Sequence, residues 1–407
     1  MPEKAGSALP SAKIAPIDFS RMRQERSARA QAALKKNGVA ATLLFRLENI
    51  RYVTGSQPGA WIDRLGYTLA FAEHEPIQYH PETQFHIPYA GLQNAALVKS
   101  ENVRISRYWA NEIPGPEATR EAAKIFASEI KADLKKMGLD KEKIGYDGFL
   151  DYPGLQALAE AGIQLFNAQP VMFEARAIKT QDEINCLRTA AAIADAGHYA
   201  MSQAIRPGIR RDEVAIVGIN AMVRAGGEAR GTGAFAPDIS RVGDFISMDI
   251  AGPRYMGYNT CVYRNYVVGR KPTDKEKDLH NRSRERIYRV IDSIKPGATT
   301  ADAAKHMKPA KEAGLPSEWS SWCDELGHGL GLSLYEYPII NRLWSLEHPM
   351  TFEKNMTMAV ECMEYDPAIG RVKLEEMIAV TDTGVELLTR MPIQGIIVSG
   401  PVNIADD

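Results

Sequence analysis

Five positions in the second half of the chain have side chains that could share one site: Asp249, Cys261, His328, Glu361 and Glu375. Each stands in a strand-like or glycine-flanked stretch rather than on a charged helix face. Asp and Glu are rare in apolar runs unless a partner or a metal offsets their charge. Glu361 lies inside MTMAVECME and Glu375 inside VKLEEMIAV. In a strand Glu376 would point to the opposite face. His328 stands in GHGLG, where small neighbours leave the imidazole accessible. One histidine, one thiol and three carboxylates are the donors of a divalent-cation site or of acid/base chemistry.

The elements that must position these residues are legible in outline. A chain of 407 residues exceeds one ordinary core, so two domains are expected, 1–174 and 175–407. In the first, RMRQERSARAQAALKKNG reads as a helix capped at Gly38, VAATLLF and LGYTLAFAE as buried strands, ATREAAKIFASEIKADLKKMG as an amphipathic helix closed by Gly138, and KIGYDG as a further strand. That alternation predicts an α/β unit. The second domain opens with a capping box, Thr180 with Glu183, then a helix stopping at Pro207-Gly208. A second helix is expected from about Asp212 to Ala225, and a third from the capping box of Thr273 with Glu276. The strands DFISMDIAG and CVYRNYVVG, and the mostly extended remainder, hold the candidate residues.

Composition excludes some partners. With 45% apolar and 25% charged residues and a net charge of −2, the chain offers no electrostatic reason to bind nucleic acid or an anionic membrane. The first twenty residues hold no apolar run long enough for a signal-peptide core, and no later segment approaches the roughly 18 uninterrupted apolar residues of a membrane span, so a cytoplasmic address is expected. Cys186, Cys261, Cys323 and Cys362 are widely spaced, without a CxxC. Cys323 and Cys362 read as small buried hydrophobes.

The order of motifs (Asp, a GYxxD-like stretch, GHGxG, a strand glutamate, a second glutamate before TDTG) resembles the superfamily of creatinase, prolidase, aminopeptidase P and methionine aminopeptidase, the pita-bread fold. The likeness extends to ARAIKTQDEI and ENIRYVTG. It implies an α+β architecture, a pita-bread catalytic domain preceded by a smaller α/β N-terminal domain, and a homodimer. In metal-dependent members the five positions are Asp, Asp, His, Glu and Glu, and they hold two divalent cations. Carried over, Asp249, His328, Glu361 and Glu375 match, while Cys261 takes the place of the second, bridging aspartate, one residue further along than expected. The resemblance therefore implies at most a degenerate site: one divalent ion, Zn, Fe or Mn, or none.

Two departures bear on the reaction. The peptidases carry a histidine where Tyr335 stands in YEYP, and another in the loop before the first aspartate, where GTGAFAPDISRVGD has none. Both serve amide substrates by donating to the carbonyl. The expectation is thus a hydrolase or lyase acting on a small charged non-peptide molecule, as in creatinase or the dimethylsulfoniopropionate lyase branch, with His328, Glu361, Glu375 and Tyr335 catalytic. That lyase branch has an extra aspartate at the position of Ser247, so the match to it is incomplete. The alternatives are an Xaa-Pro-type metallopeptidase and a non-catalytic binding protein. Trp61 and Arg64, in PGAWIDRLGY, are the candidate substrate contacts.

Overall fold

A computed structural model of the chain describes residues 16–56, 66–80, 98–108, 112–228, 233–235, 237–252 and 254–402. Trp61 and Arg64 lie outside the described residues. The chain separates into two compact units, Asp18–Arg176 and a second beginning at Ala177.

In the first unit, helix α1 (Phe19–Lys36) starts where Asp18 accepts a hydrogen bond from the Arg21 amide at 3.0 Å. It ends before Gly38, whose φ of +66° suits the left-handed exit that the sequence predicts. Strand β1 (Ala41–Leu44), helix α2 (Leu47–Thr54), β2 (Tyr67–Phe71), β3 (Ile77–His80), β4 (Val103–Ile105), α3 (Pro116–Lys136), β5 (Ile144–Tyr146), α4 (Tyr152–Glu160), β6 (Leu165–Asn167) and α5 (Gln169–Ala177) follow. The sheet order is β4-β3-β2-β1-β5-β6, antiparallel across β3-β2-β1 and parallel at both ends. The apolar faces of β1, β2 and α3 meet in a core that includes Leu43, Tyr67, Leu69, Phe126 and Ile130.

The second unit begins with α6 (Gln181–Ala204), started by the Thr180/Glu183 capping box, and α7 (Arg211–Arg224). Strands β7 (Gly233–Phe235), β8 (Phe245–Asp249), the β9/β10 ribbon (Arg254–Tyr255, Tyr258–Asn259) and β11 (Tyr263–Val268) follow. Then come α8 (Asp274–Asp292), begun by the Thr273/Glu276 capping box, and the short α9 (Thr300–Ala304). The chain continues through β12 (Leu326–Gly329), β13 (Glu336–Ile340), the one-turn α10 (Arg342–Ser345), β14 (Thr357–Asp366), β15 (Gly370–Val380), β16 (Val385–Leu387) and β17 (Ile397–Ser399). These strands form two sheets, ordered β17-β11-β8-β7 and β13-β12-β14-β15-β16.

The sheets meet through side chains. Arg264 on β11 donates to the Glu375 carbonyl at 2.7 Å and to the Glu376 carboxylate at 3.0 Å, and the Ser247 hydroxyl lies 2.9 Å from the Arg371 carbonyl. On the face of β14 and β15 that Glu376 shares, Val360, Cys362, Leu374 and Ile378 pack with Ile287 and Val290 of α8. Each large side chain buried there contributes roughly 1.5–3 kcal/mol.

Two cysteine expectations need adjustment. Cys261 lies just before β11, not within a strand, and Cys323 is exposed, whereas Cys362 is buried. No helix among the described residues is long and apolar enough to cross a membrane.

Candidate active site

The site is built on the antiparallel ladder of β14 and β15. Glu361 stands directly opposite Glu375, and Cys362 opposite Leu374. Because successive side chains alternate in a strand, the apolar set faces α8 and the two glutamates share the other face. Lys373, two residues before Glu375, shares that face as well. Its ammonium lies 2.9 Å from Glu361 Oε2, 3.2 Å from the Cys323 carbonyl and 4.8 Å from the Tyr263 ring centroid. Glu376 faces the other way and pairs with Arg264, as alternation requires.

Strand β12 brings His328 alongside, opposite Ala359 of β14. Its register with β13 shifts between His328 and Gly329, a bulge that re-aims the strand beside the site. Gly329 has to lack a side chain: a Cβ there would stand 2.2 Å from the Tyr337 carbonyl oxygen. The imidazole donates from Nδ1 to the Gly329 carbonyl at 3.1 Å, which leaves the lone pair on Nε2. Nε2 faces Glu375 Oε1 at 3.7 Å, near enough for attraction but too long for a hydrogen bond.

One donor atom from each of Cys261, His328 and Glu375 lies within 4.8 Å of the others, and all three residues are buried. His328 Nε2, both Glu375 carboxylate oxygens and Asp249 Oδ1 are buried without a hydrogen-bond partner among the described residues. Stranded polar atoms of this kind cost free energy unless something charged completes them. A divalent cation fits that donor set, since it would satisfy imidazole, carboxylate and sulfur at once.

The electrostatics agree. Burial, then the charges of Glu375 and Glu361, hold Asp249 well above the usual carboxylate range. Burial pushes Glu361 up to about 7, although Lys373 pulls the other way. Burial, then Glu375, Asp249 and Glu361, push the Cys261 thiol up. Burial disfavours a charged His328, but the carboxylates of Glu375 and Glu361 outweigh it and raise its pKa. Three carboxylates thus face one ammonium, an excess of negative charge suited to a bound cation.

Asp249, Cys261, His328, Glu361 and Glu375 are therefore brought together. Tyr335 joins them, its ring centroid 4.4 Å from that of His328 and its side chain half exposed. Sequence reasoning passed over Lys373 and Tyr263; the latter hydrogen-bonds Asp249 through its side chain. The i, i+2 spacing of Lys373 and Glu375 was the available signal for the first. Ser247 holds no charge at the site: its hydroxyl lies 2.6 Å from Asn265 Oδ1.

Comparison with known proteins agrees with this geometry. The pattern of metallopeptidase family M24 matches residues 185–382, which span α6 to the end of β15. The Xaa-Pro dipeptidase of Pyrococcus furiosus is 27% identical over 294 residues, 67% of this chain and 82% of that protein. The crystal structure of the prolidase from Pyrococcus horikoshii OT3 superposes with a TM-score of 0.69 at 24% identity, covering 90% of this chain and 99% of that one. Dimethylsulfoniopropionate lyase DddP of Roseovarius nubinhibens is 25% identical over 421 residues, 95% of this chain and 88% of that protein.

The expectation of a hydrolase or lyase for a small charged non-peptide molecule, with peptidase activity disfavoured, is overturned by the Xaa-Pro dipeptidases among these relatives. That expectation rested on two missing histidines, but Tyr335, whose ring lies against that of His328, brings a phenol to the position of one of them. Together, the ordered motifs, the match of residues 185–382 to metallopeptidase family M24 and the shared fold support the likeness to the creatinase/prolidase/aminopeptidase P (pita-bread) superfamily.

Proposed function

We propose that this protein is a metal-dependent peptidase of the Xaa-Pro type, cleaving the amide bond of short peptides. One observation carries the reading: buried Cys261, His328 and Glu375 converge within 4.8 Å, with His328 Nε2 and both Glu375 oxygens lacking hydrogen-bond partners among the described residues. The similarity to Xaa-Pro dipeptidases supports it.

Cys261, His328 and Glu375 would hold one divalent cation, with Asp249 and Glu361 at its border. A thiolate in the set favours zinc or iron over manganese. When bound, the cation supplies Lewis acidity towards the scissile carbonyl and activates a water molecule. The Gly329 carbonyl keeps His328 in the tautomer whose Nε2 can ligate. Glu361, steadied by Lys373, is the carboxylate placed to take up a proton and return it to the leaving amine. Tyr335, whose phenol is pushed above its usual pKa by burial and by the nearby carboxylates and thiol, keeps its proton and can donate to the oxygen that gains charge. The superfamily likeness also supports a homodimer, with Trp61 and Arg64 as substrate contacts.

The test is a panel of Xaa-Pro dipeptides assayed with added Zn²⁺, Fe²⁺ or Mn²⁺, together with elemental analysis of the purified protein. Turnover dependent on metal, with close to one zinc or iron per chain, is expected. Protein that holds its metal and leaves every Xaa-Pro dipeptide uncleaved would refute the reading.

A further inference from the structure

The start of α6 is tied to both loops that carry the site's chemistry. Lys179 directly precedes Thr180, the helix N-cap, and its amide donates to the Asn355 carbonyl just before β14 at 3.0 Å. Its ammonium is 2.9 Å from Glu336 Oε2, and both side chains are 1% exposed. Glu336 is the residue after Tyr335, and its other oxygen accepts from the Ser333 amide at 2.9 Å. The carboxylate fills the space beside Gly331, where an added Cβ would stand 2.8 Å from Glu336 Oε2.

The capping-box glutamate reaches the second loop. Glu183 Oε2 accepts from the Thr180 amide at 2.8 Å, while Oε1 accepts from the Tyr258 hydroxyl at 2.8 Å. Tyr258 begins the segment that leads to Cys261. Its neighbour Asn259 joins the two loops, donating from Nδ2 to the Gly331 and Leu332 carbonyls at 3.0 and 2.8 Å. Lys179 and Glu183 thus hold, from one helix start, the loop bearing Tyr335 and the segment leading to Cys261.

A buried ion pair is a poor device for stability, because desolvating two charges offsets most of their attraction and apolar replacements of similar volume are often neutral or better. What such a pair supplies is a fixed distance between two backbone segments. We propose that Lys179 and Glu336 are positioning residues: their buried ion pair sets the loop carrying Tyr335, and through Asn259 the segment carrying Cys261, in register for cation binding and turnover. The inference deepens the peptidase reading and rests on it for turnover, but not for cation binding.

The experiment therefore measures binding first. Metal-free wild-type protein is titrated with Co²⁺ alone, read by thiolate-to-cobalt absorption, beside Lys179→Met, the paired Lys179→Met/Glu336→Leu and the charge-preserving Lys179→Arg. Lys179→Met should melt lower, because it strands a buried carboxylate. The paired variant should regain the wild-type Tm yet bind Co²⁺ on the order of 10-fold to 100-fold more weakly, the usual effect of losing a residue that orients metal ligands. Lys179→Arg keeps the charge but not the span, so it should keep its Tm and also bind Co²⁺ more weakly. Wild-type Co²⁺ affinity in both the paired and the arginine variants overturns the proposal. Failure of wild-type protein to cleave Xaa-Pro peptides while it binds cobalt counts against the peptidase reading and not against the positioning role.

Discussion

Glu361 is held between opposing charges. Lys373 favours its ionised form, while burial and the carboxylates of Glu375 and Asp249 oppose it, with the net effect that its pKa rises to about 7. A glutamine there still accepts the Lys373 hydrogen bond and removes the repulsion. In metal-stripped protein Glu361→Gln should therefore melt at or above the wild-type temperature by calorimetry. Turnover should fall about 100-fold or more, the usual scale for losing a proton-transfer group. A variant that melts lower and retains its turnover would make Glu361 a structural residue. The candidate residues were legible because carboxylates in apolar strands are conspicuous. Lys373 was not, since a lysine two residues before a glutamate is unremarkable until the ladder shows both on one face.

At the scale of elements, the capping boxes at Thr180 and Thr273 and the exits at Gly38 and Gly138 follow from local chemistry and stand where the sequence places them. What local chemistry does not contain is the pairing between distant strands. The shift of register between β12 and β13, which arranges His328, Gly329 and Glu336, depends on which strands meet. Likewise, nothing local distinguishes Cys261 within a strand from Cys261 just ahead of one. Gly329 makes this testable, because a Cβ there would meet three backbone atoms, the Tyr337 carbonyl oxygen and carbon and the Glu336 carbonyl carbon, at 2.2 to 2.7 Å. Backbone cannot rotate aside as a side chain can, so β13 would have to move. Gly329→Ala should cost about 1–3 kcal/mol or more in urea denaturation and lose activity through the misplaced His328. Gly384→Ala, with no heavy atom within 4 Å of its Cβ, is the matched control and should stay within about 0.5 kcal/mol of wild type. Equal stability of the two variants would show that the strands can part without cost.

At the scale of the whole molecule, the response to acid should carry the signature of one buried histidine far from the charged cluster in sequence. His198 on α6 is 0% exposed, with Nε2 3.0 Å from the Val262 carbonyl and Nδ1 2.7 Å from the Tyr266 hydroxyl. A carbonyl can only accept, so Nε2 carries the proton and Nδ1 accepts from the tyrosine. A second proton, on Nδ1, would turn the Tyr266 hydroxyl from donor to acceptor there and leave it only the longer bond to the His198 carbonyl at 3.4 Å. Burial, reinforced by the Arg264 guanidinium, lowers the His198 pKa to about 3. In the unfolded chain the same histidine titrates near 6.5. Above that pH it is neutral in both states and contributes nothing to the pH dependence. As pH falls below about 6.5, only the unfolded chain takes up the proton, so folded stability declines by about 1.4 kcal/mol per pH unit until the folded pKa is reached. Glutamine offers one donor and one acceptor without a charge to gain. Urea midpoints for wild type and His198→Gln, measured between pH 7.5 and pH 4.5, should be close to parallel down to about pH 6.5 and converge or cross below it. Curves that stay parallel to pH 4.5 would mean that His198 is protonated in the folded protein, and that the hydrogen bond with Val262 or Tyr266 is not formed as described.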